Sequence, residues 1–200
     1  MEHVTNTITL RGSLLELPVF SHENHSKRFY RFTLEVPRLS GAVDLLPIVA
    51  EETMVMNLDP TAGDMLKVLG QVRSHNVHSE DGRHLLIFVF ASALAVESGE
   101  PINDVYVEGP FCREPTYRRT PLGREICDTM LAIPRAFRRA DYLPCIIWGR
   151  TAQAISECHT RDIIGIHGRL QSRIYTKLKP EGAEDRTTYE ISALNAEHIG

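Results

Sequence analysis

Two hundred residues, 42% apolar and 24% charged, describe an ordinary globular chain, with room for one large domain or two of about 100 residues. No window approaches the ~18 apolar residues of a membrane helix, and MEHVTNTITLRG lacks the basic-then-apolar build of a secretion signal, so a soluble cytoplasmic protein without a membrane partner is expected. The net charge of −4 excludes a uniformly cationic surface. The halves differ, however: residues 1–100 carry 8 Lys+Arg against 13 Asp+Glu, residues 101–200 carry 14 against 13, and twelve of those fourteen are arginine.

Alternating apolar residues and β-branched runs predict strands near 5–16, 29–36, 45–50, 65–73 and 84–95. Three loops with special content follow in chain order. FSHENHSKRFYRF carries Phe20, Lys27, Arg28, Tyr30 and Arg31 in the first loop of this set. ETMVMNLDPTAGD is broken by Pro60 and Gly63, so any helix there is short. ESGEPIN (Glu97–Asn103) reads as a polar linker. Five more strands are predicted near 104–113, 124–133, 142–149, 162–174 and 186–194. PTYRRTPLG joins the first two of these and PRAFRRAD the next two, each setting an Arg-Arg pair beside an aromatic, Tyr117 or Phe137. RTAQAISECH, between the third and fourth, places Ala152, Ile155 and Cys158–His159 on one helical face. TKLKPEGAEDRT is a loop with lysines at its base and an acidic tip.

The two sets of strands are copies. LEVPR (Leu34–Arg38) returns as LAIPR (Leu131–Arg135) and DLLP (Asp44–Pro47) as DYLP (Asp141–Pro144), both shifted by 97. DMLKVLGQVRS (Asp64–Ser74) returns as DIIGIHGRLQS (Asp162–Ser172), shifted by 98. Matches in one order with slowly growing offsets mark a duplicated domain. Residues 1–97 form one unit, 98–103 the linker and 104–200 the second unit. Five strands with a helix between the third and fourth fit the OB-fold, so the expected class is all-β: two tandem five-stranded Greek-key barrels with one short helix each.

Catalytic and metal signatures are missing from the sequence. The four cysteines stand 15, 18 and 13 residues apart with no CxxC, which reads as free buried thiols without a metal. Six of nine histidines lie in unit one without ligand spacing, and His167 reads as structural. No Gly-rich phosphate loop, GxSxG or HExxH occurs, so neither an enzyme nor a cofactor is expected.

The second unit resembles the oligonucleotide-binding domain of bacterial single-stranded-DNA-binding proteins. CDTMLAIPR, DYLPCIIWGRTAQ, DIIGIHGRLQSRIYTK and RTTYEISAL carry that likeness in order. Members typically end the third strand in aromatic-Gly-Lys/Arg, here Trp148-Gly149-Arg150. Their fourth strand follows G-R/Q-L-x-x-R-x-aromatic, here Gly168 to Tyr175. The likeness is strong over 103–195 and traceable over 6–97. It implies sequence-tolerant binding of single-stranded DNA in replication, recombination or repair, and a homodimer carrying four barrels. Housekeeping members end in an acidic tail that recruits other enzymes; ALNAEHIG does not follow that pattern, which puts that route of recruitment in question, leaves a specialised paralogue and general strand protection both open, and leaves the protein partners unknown.

Single strands are held by bases stacked on aromatic rings and by cations along the backbone. Alternation puts Tyr142, Pro144, Ile146 and Trp148 on one side of their strand and Leu143, Cys145 and Ile147 on the other. The aliphatic set suits the barrel interior, so the aromatic set is expected outside; the competing reading makes Trp148 a core residue at the barrel end. Arg169, Gln171, Arg173 and Tyr175 share a face opposite Leu170, Ser172 and Ile174. Stacking is assigned to Trp148, Tyr142 and Tyr175. Backbone contacts are assigned to Arg169, Arg173, Arg135, Arg138, Arg139, Arg118, Arg119 and Lys177. In unit one Leu45, Glu51 and Val77 replace the three aromatics, which suggests a degenerate barrel serving as scaffold or oligomerisation domain. Two alternatives remain: a protein-interaction accessory of a primosome or recombinase, and an RNA binder, since OB-folds serve both nucleic acids.

Overall fold

Every second side chain of NTITLRGSL is buried, and these residues form β1 (Asn6–Leu14). The computed structural model describes residues 5–79, 82–179 and 182–199. In the first unit β1 is followed by β2 (Val19–Asn24), β3 (Lys27–Pro37), β4 (Val43–Glu51), α1 (Glu52–Leu58), β5 (Met65–Ser79) and β6 (Gly82–Val96). The second unit holds β7 (Ile102–Pro110), β8 (Thr116–Arg119), β9 (Glu125–Arg135), β10 (Arg139–Trp148), α2 (Gly149–Ile155), β11 (Ile163–Lys179) and β12 (Gly182–His198).

Each unit closes on itself in the same way. β1 pairs with β5 along most of its length and with β3 at its end, and β4 runs parallel to β6. In the second unit β7 pairs with β11, β10 runs parallel to β12, and a bridge between Phe111 and Leu131 stands where Leu14 meets Leu34. These are the two tandem OB barrels expected, each with its helix between the third and fourth barrel strands. β1 also pairs antiparallel with β7, from Asn6↔Val107 to Arg11↔Ile102. One twelve-stranded sheet therefore runs through the molecule.

Several expectations need correcting. FSHENHSKRFYRF is not a loop but the β2–β3 hairpin, and four residues of PTYRRTPLG form β8 against β9. α2 stops at Ile155, so Ala152 and Ile155 are buried on its inner face while His159 is exposed beyond its end. α1 is short, as expected: it spans seven residues, the same length as α2, and ends where Asp59 takes a left-handed conformation before Pro60. His75, His78 and His84 lie in β5 and β6. His167 is exposed and pairs with Asp104 at 2.6 Å. Among the described residues no helix is long and apolar enough to cross a membrane.

Buried side chains of both barrels form one continuous cluster, from Leu10, Leu34 and Ile48 to Leu131, Cys145 and Leu170. Cys127 and Cys145 are free thiols within it, and burial pushes the Cys127 thiol up to about 11. The repeated glycines of β5 and β11 are explained by crowding. A Cβ on Gly70 would overlap the Phe90 carbonyl oxygen, and one on Gly168 that of Ser192, each beside a bulge in its strand pair.

Reciprocal polar struts lock the barrels together. Asp44, 1% exposed, accepts the Ser172 N–H at 2.7 Å, and Ser172 Oγ accepts the Leu45 N–H at 3.1 Å. Across the pseudo-two-fold, Asp141, 0% exposed, accepts the Ser74 N–H at 2.8 Å, and Ser74 Oγ accepts the Tyr142 N–H at 2.7 Å. Arg38 holds Asp44 and donates to the Ser172 carbonyl at 3.0 Å; Arg135 and Arg73 hold Asp141 at 3.2 and 3.3 Å. Within each barrel, Asn6 and Asn103 fill the same place, each bonding both the N–H and the carbonyl of one residue, Val72 or Leu170.

Candidate nucleic-acid interface

β10 presents its two sides as alternation requires. Leu143, Cys145 and Ile147 are buried in the barrel, while Tyr142 is 41% and Trp148 38% exposed. Ile146, between them in phase, is also buried and lines the groove beside Trp148. The indole is therefore not a core residue at the barrel end: its ring reaches solvent and its N–H donates to Ser192 Oγ at 3.0 Å.

An open groove of about 330 Å³ runs along Trp148. Gln171 and Arg173 of β11, Arg118 of β8 and Arg38 of the first barrel line it. Arg38 was not singled out from the sequence, although it is the repeat counterpart of Arg135, which was. Each guanidinium has a carboxylate partner. Arg118 holds Asp128, whose hydrogen bond raises the pKa of that guanidinium above its ordinary value. Arg173 stands 3.8 Å from Glu190, and Arg38 is fixed on buried Asp44. Exposed pairs such as the first two contribute about 0–1 kcal/mol, so a phosphate can replace their partners at small cost.

The other expected residues spread outward from this centre. Arg169 lines a neighbouring groove, with Arg38 between the two. Tyr142 stands six residues back along β10, roughly 20 Å from Trp148 at strand spacing, beside Ser74 of the other barrel. Tyr175 is 44% exposed on the arm that β11 and β12 extend beyond the barrel. Ile174, on the side opposite Tyr175, is exposed too, because the arm has left the core. Arg138 and Arg139 are exposed at the β9–β10 turn beside Phe137, which is 93% exposed in a left-handed conformation (φ 60°). Arg119 pairs with Glu125. Arg135 pairs with Asp141 at 3.2 Å and keeps about a third of its side chain exposed. Lys177 belongs to β11, but its side chain lies outside the described residues.

The first barrel is built differently at the matching places. Glu51 stands where Trp148 does and is paired with Lys27 at 2.9 Å, which lowers its pKa. Its aromatics pack on one another: Phe20 edge-on to Tyr30 at 6.1 Å, His22 stacked on Phe29 at 4.9 Å, and Arg28 over Phe20 at 5.1 Å. Lys27, Arg28 and Tyr30 all bond Glu51 or Glu52.

Residues 102–199 match the Single-strand binding protein family. The single-stranded DNA-binding protein of Bacillus cereus is 31% identical over 100 residues, 46% of this chain and 56% of its own. Single-stranded DNA-binding protein B of Bacillus subtilis is 31% identical over 80 residues, 36% of this chain and 71% of its own. The chain spans little more than half the length of the first curated relatives that it matches, 56%, 56% and 55%. The crystal structure of the wild-type single-stranded DNA binding protein from Thermus aquaticus superposes with a TM-score of 0.79 over 98% of this chain and 93% of that one. At 19% identity this is a likeness of fold, and it extends over both barrels.

Proposed function

Because the chain belongs to the single-strand binding protein family, we propose that it binds single-stranded DNA without catalysis and with little regard to base sequence, protecting exposed strands during replication, recombination or repair. The observation that carries this reading is Trp148, a partly exposed ring at the end of β10 with Gln171, Arg173, Arg118 and Arg38 around one groove. Bases stack on the indole, and outward along the arm on Tyr175, each stacked base contributing roughly 1–3 kcal/mol. Phosphates take Arg118 and Arg173 from Asp128 and Glu190, while Arg38 keeps its buried partner and supplies fixed charge. Arg138 and Arg139 extend the cationic track at the β9–β10 turn.

Trp148 is the sole tryptophan, so its fluorescence reports the site directly. Titration with oligo-dT is expected to quench it, with log affinity falling against log salt at about −0.7 per phosphate neutralised. Unchanged fluorescence at low salt, together with no retention of labelled oligomer, would overturn the reading. RNA of matched sequence in competition separates a DNA binder from an RNA binder.

The reading extends to a homodimer with four barrels. Leu69 on β5, between buried Val68 and Gly70, and Leu194 on β12, after buried Ala193, are exposed apolar side chains that a second copy would cover. Light scattering is expected to give twice the chain mass; the mass of one chain at micromolar concentration would remove the dimer.

A further inference from the structure

Three metal-ligating side chains that are remote in sequence meet at the end of β12. Cys158 follows α2, Asp162 precedes β11, and His198 is the last residue of β12. The thiol sulfur, a carboxylate oxygen and an imidazole nitrogen all lie within 4.8 Å of one another, and His198 Nε2 stands 3.9 Å from Asp162 Oδ2. Ligand atoms about 2.0–2.3 Å from a tetrahedral Zn²⁺ are roughly 3.3–3.7 Å apart, so small side-chain rotations close the set.

The backbone holds this arrangement ready. The His159 N–H donates to Asp162 Oδ2 at 2.8 Å. Phe111 fixes the same turn twice, its N–H donating to the Asp162 carbonyl and its own carbonyl accepting the Arg161 N–H, both at 3.1 Å. His198 is in register with Ile164, and the Ile199 N–H bonds the Ile163 carbonyl at 2.8 Å.

The duplicated chain provides an internal control. In the first barrel Asp64 does what Asp162 does, accepting the Thr61 N–H at 2.7 Å, so a carboxylate at this place is explained by the turn. The places of Cys158 and His198 are held there by Pro60 and Val96, which offer no ligand. The thiol and the imidazole are additions peculiar to the second barrel, and neither is accounted for by the shared architecture.

From this convergence we propose that Cys158, Asp162 and His198 form a site for a divalent transition metal of the zinc type, with water in the fourth position. Thiolate with imidazole selects such ions over Ca²⁺ or Mg²⁺. The partial exposure of Asp162 and His198 leaves both an entry path and room for that water. Bound metal ties the end of β12 to the turn that leads into β11.

The test uses the full chain and Co²⁺ as a spectroscopic stand-in for zinc. About one equivalent is expected to produce a thiolate-to-cobalt charge-transfer band and tetrahedral d–d bands, both erased by added Zn²⁺. Cys158→Ser is expected to remove the thiolate band, and exposed His198→Ala to weaken binding by at least the roughly 10-fold that loss of an outer-shell partner costs. Cys112→Ser should leave the spectrum unchanged. Absence of the thiolate band in the unsubstituted chain, or a band that survives Cys158→Ser or His198→Ala at full strength, would overturn the proposal. None of these readouts depends on nucleic acid.

Discussion

Trp148→Ala is expected to weaken binding of oligo-dT by about 1–3 kcal/mol, roughly 5- to 150-fold, with the salt slope unchanged. The ring is 38% exposed and bonds only Ser192 through its indole nitrogen, so its removal takes away a stacking surface without opening the core. The buried Leu143, Cys145 and Ile147 on the other side of β10 stay in place. Trp148→Phe should recover most of the affinity, because a smaller ring still offers a face. Arg173→Ala should also lower affinity but, unlike Trp148→Ala, reduce the salt slope by about 0.7. Fluorescence anisotropy of a labelled oligomer measures both. Affinity within twofold of the parent for Trp148→Ala would show that the strand lies elsewhere.

The second large effect concerns stability. Asp141→Ala is expected to cost about 3–5 kcal/mol, read as a lowered midpoint of urea unfolding, because it strands buried positive charge. Arg73 and Arg135 both pair with this one carboxylate, which is 0% exposed. Burial and then the nearby Arg135 already press the Arg73 guanidinium below its ordinary pKa, and its Nε lacks a partner among the described residues. The Ser74 N–H would lose its acceptor as well. Asp44→Ala is expected to cost less, since Asp44 serves a single arginine, Arg38, a quarter exposed, whereas Asp141 compensates two, of which Arg73 is the more deeply buried. A loss below about 1 kcal/mol for Asp141→Ala would mean that the two barrels do not depend on this strut.

Much of this architecture was legible because a strand's period is two and the chain says things twice. The order of side chains in DYLPCIIW was enough to put Leu143, Cys145 and Ile147 inside and Trp148 outside, and LEVPR with LAIPR was enough to align the barrels. β2 escaped notice because VFSHEN is mainly exposed on both sides, so no alternation marks it. The exposure of Ile174 was not legible because alternation reports only which residues share a side, not where a strand leaves the core. Arg38 and the Asp141 strut belong to contacts between barrels, which no local pattern encodes. Cys158 and His198, forty residues apart, come together only when β12 returns beside β11.

The β1–β7 seam carries a consequence for how such a molecule diversifies. In a pair of identical chains related by a true axis, every substitution appears on both sides at once, so an altered groove is altered everywhere. Here both halves are encoded in a single chain, and an indole at 148 can coexist with a carboxylate at 51 in the equivalent place. Joining the halves thus lets the two grooves differ, while the shared ribbon of backbone hydrogen bonds keeps them together.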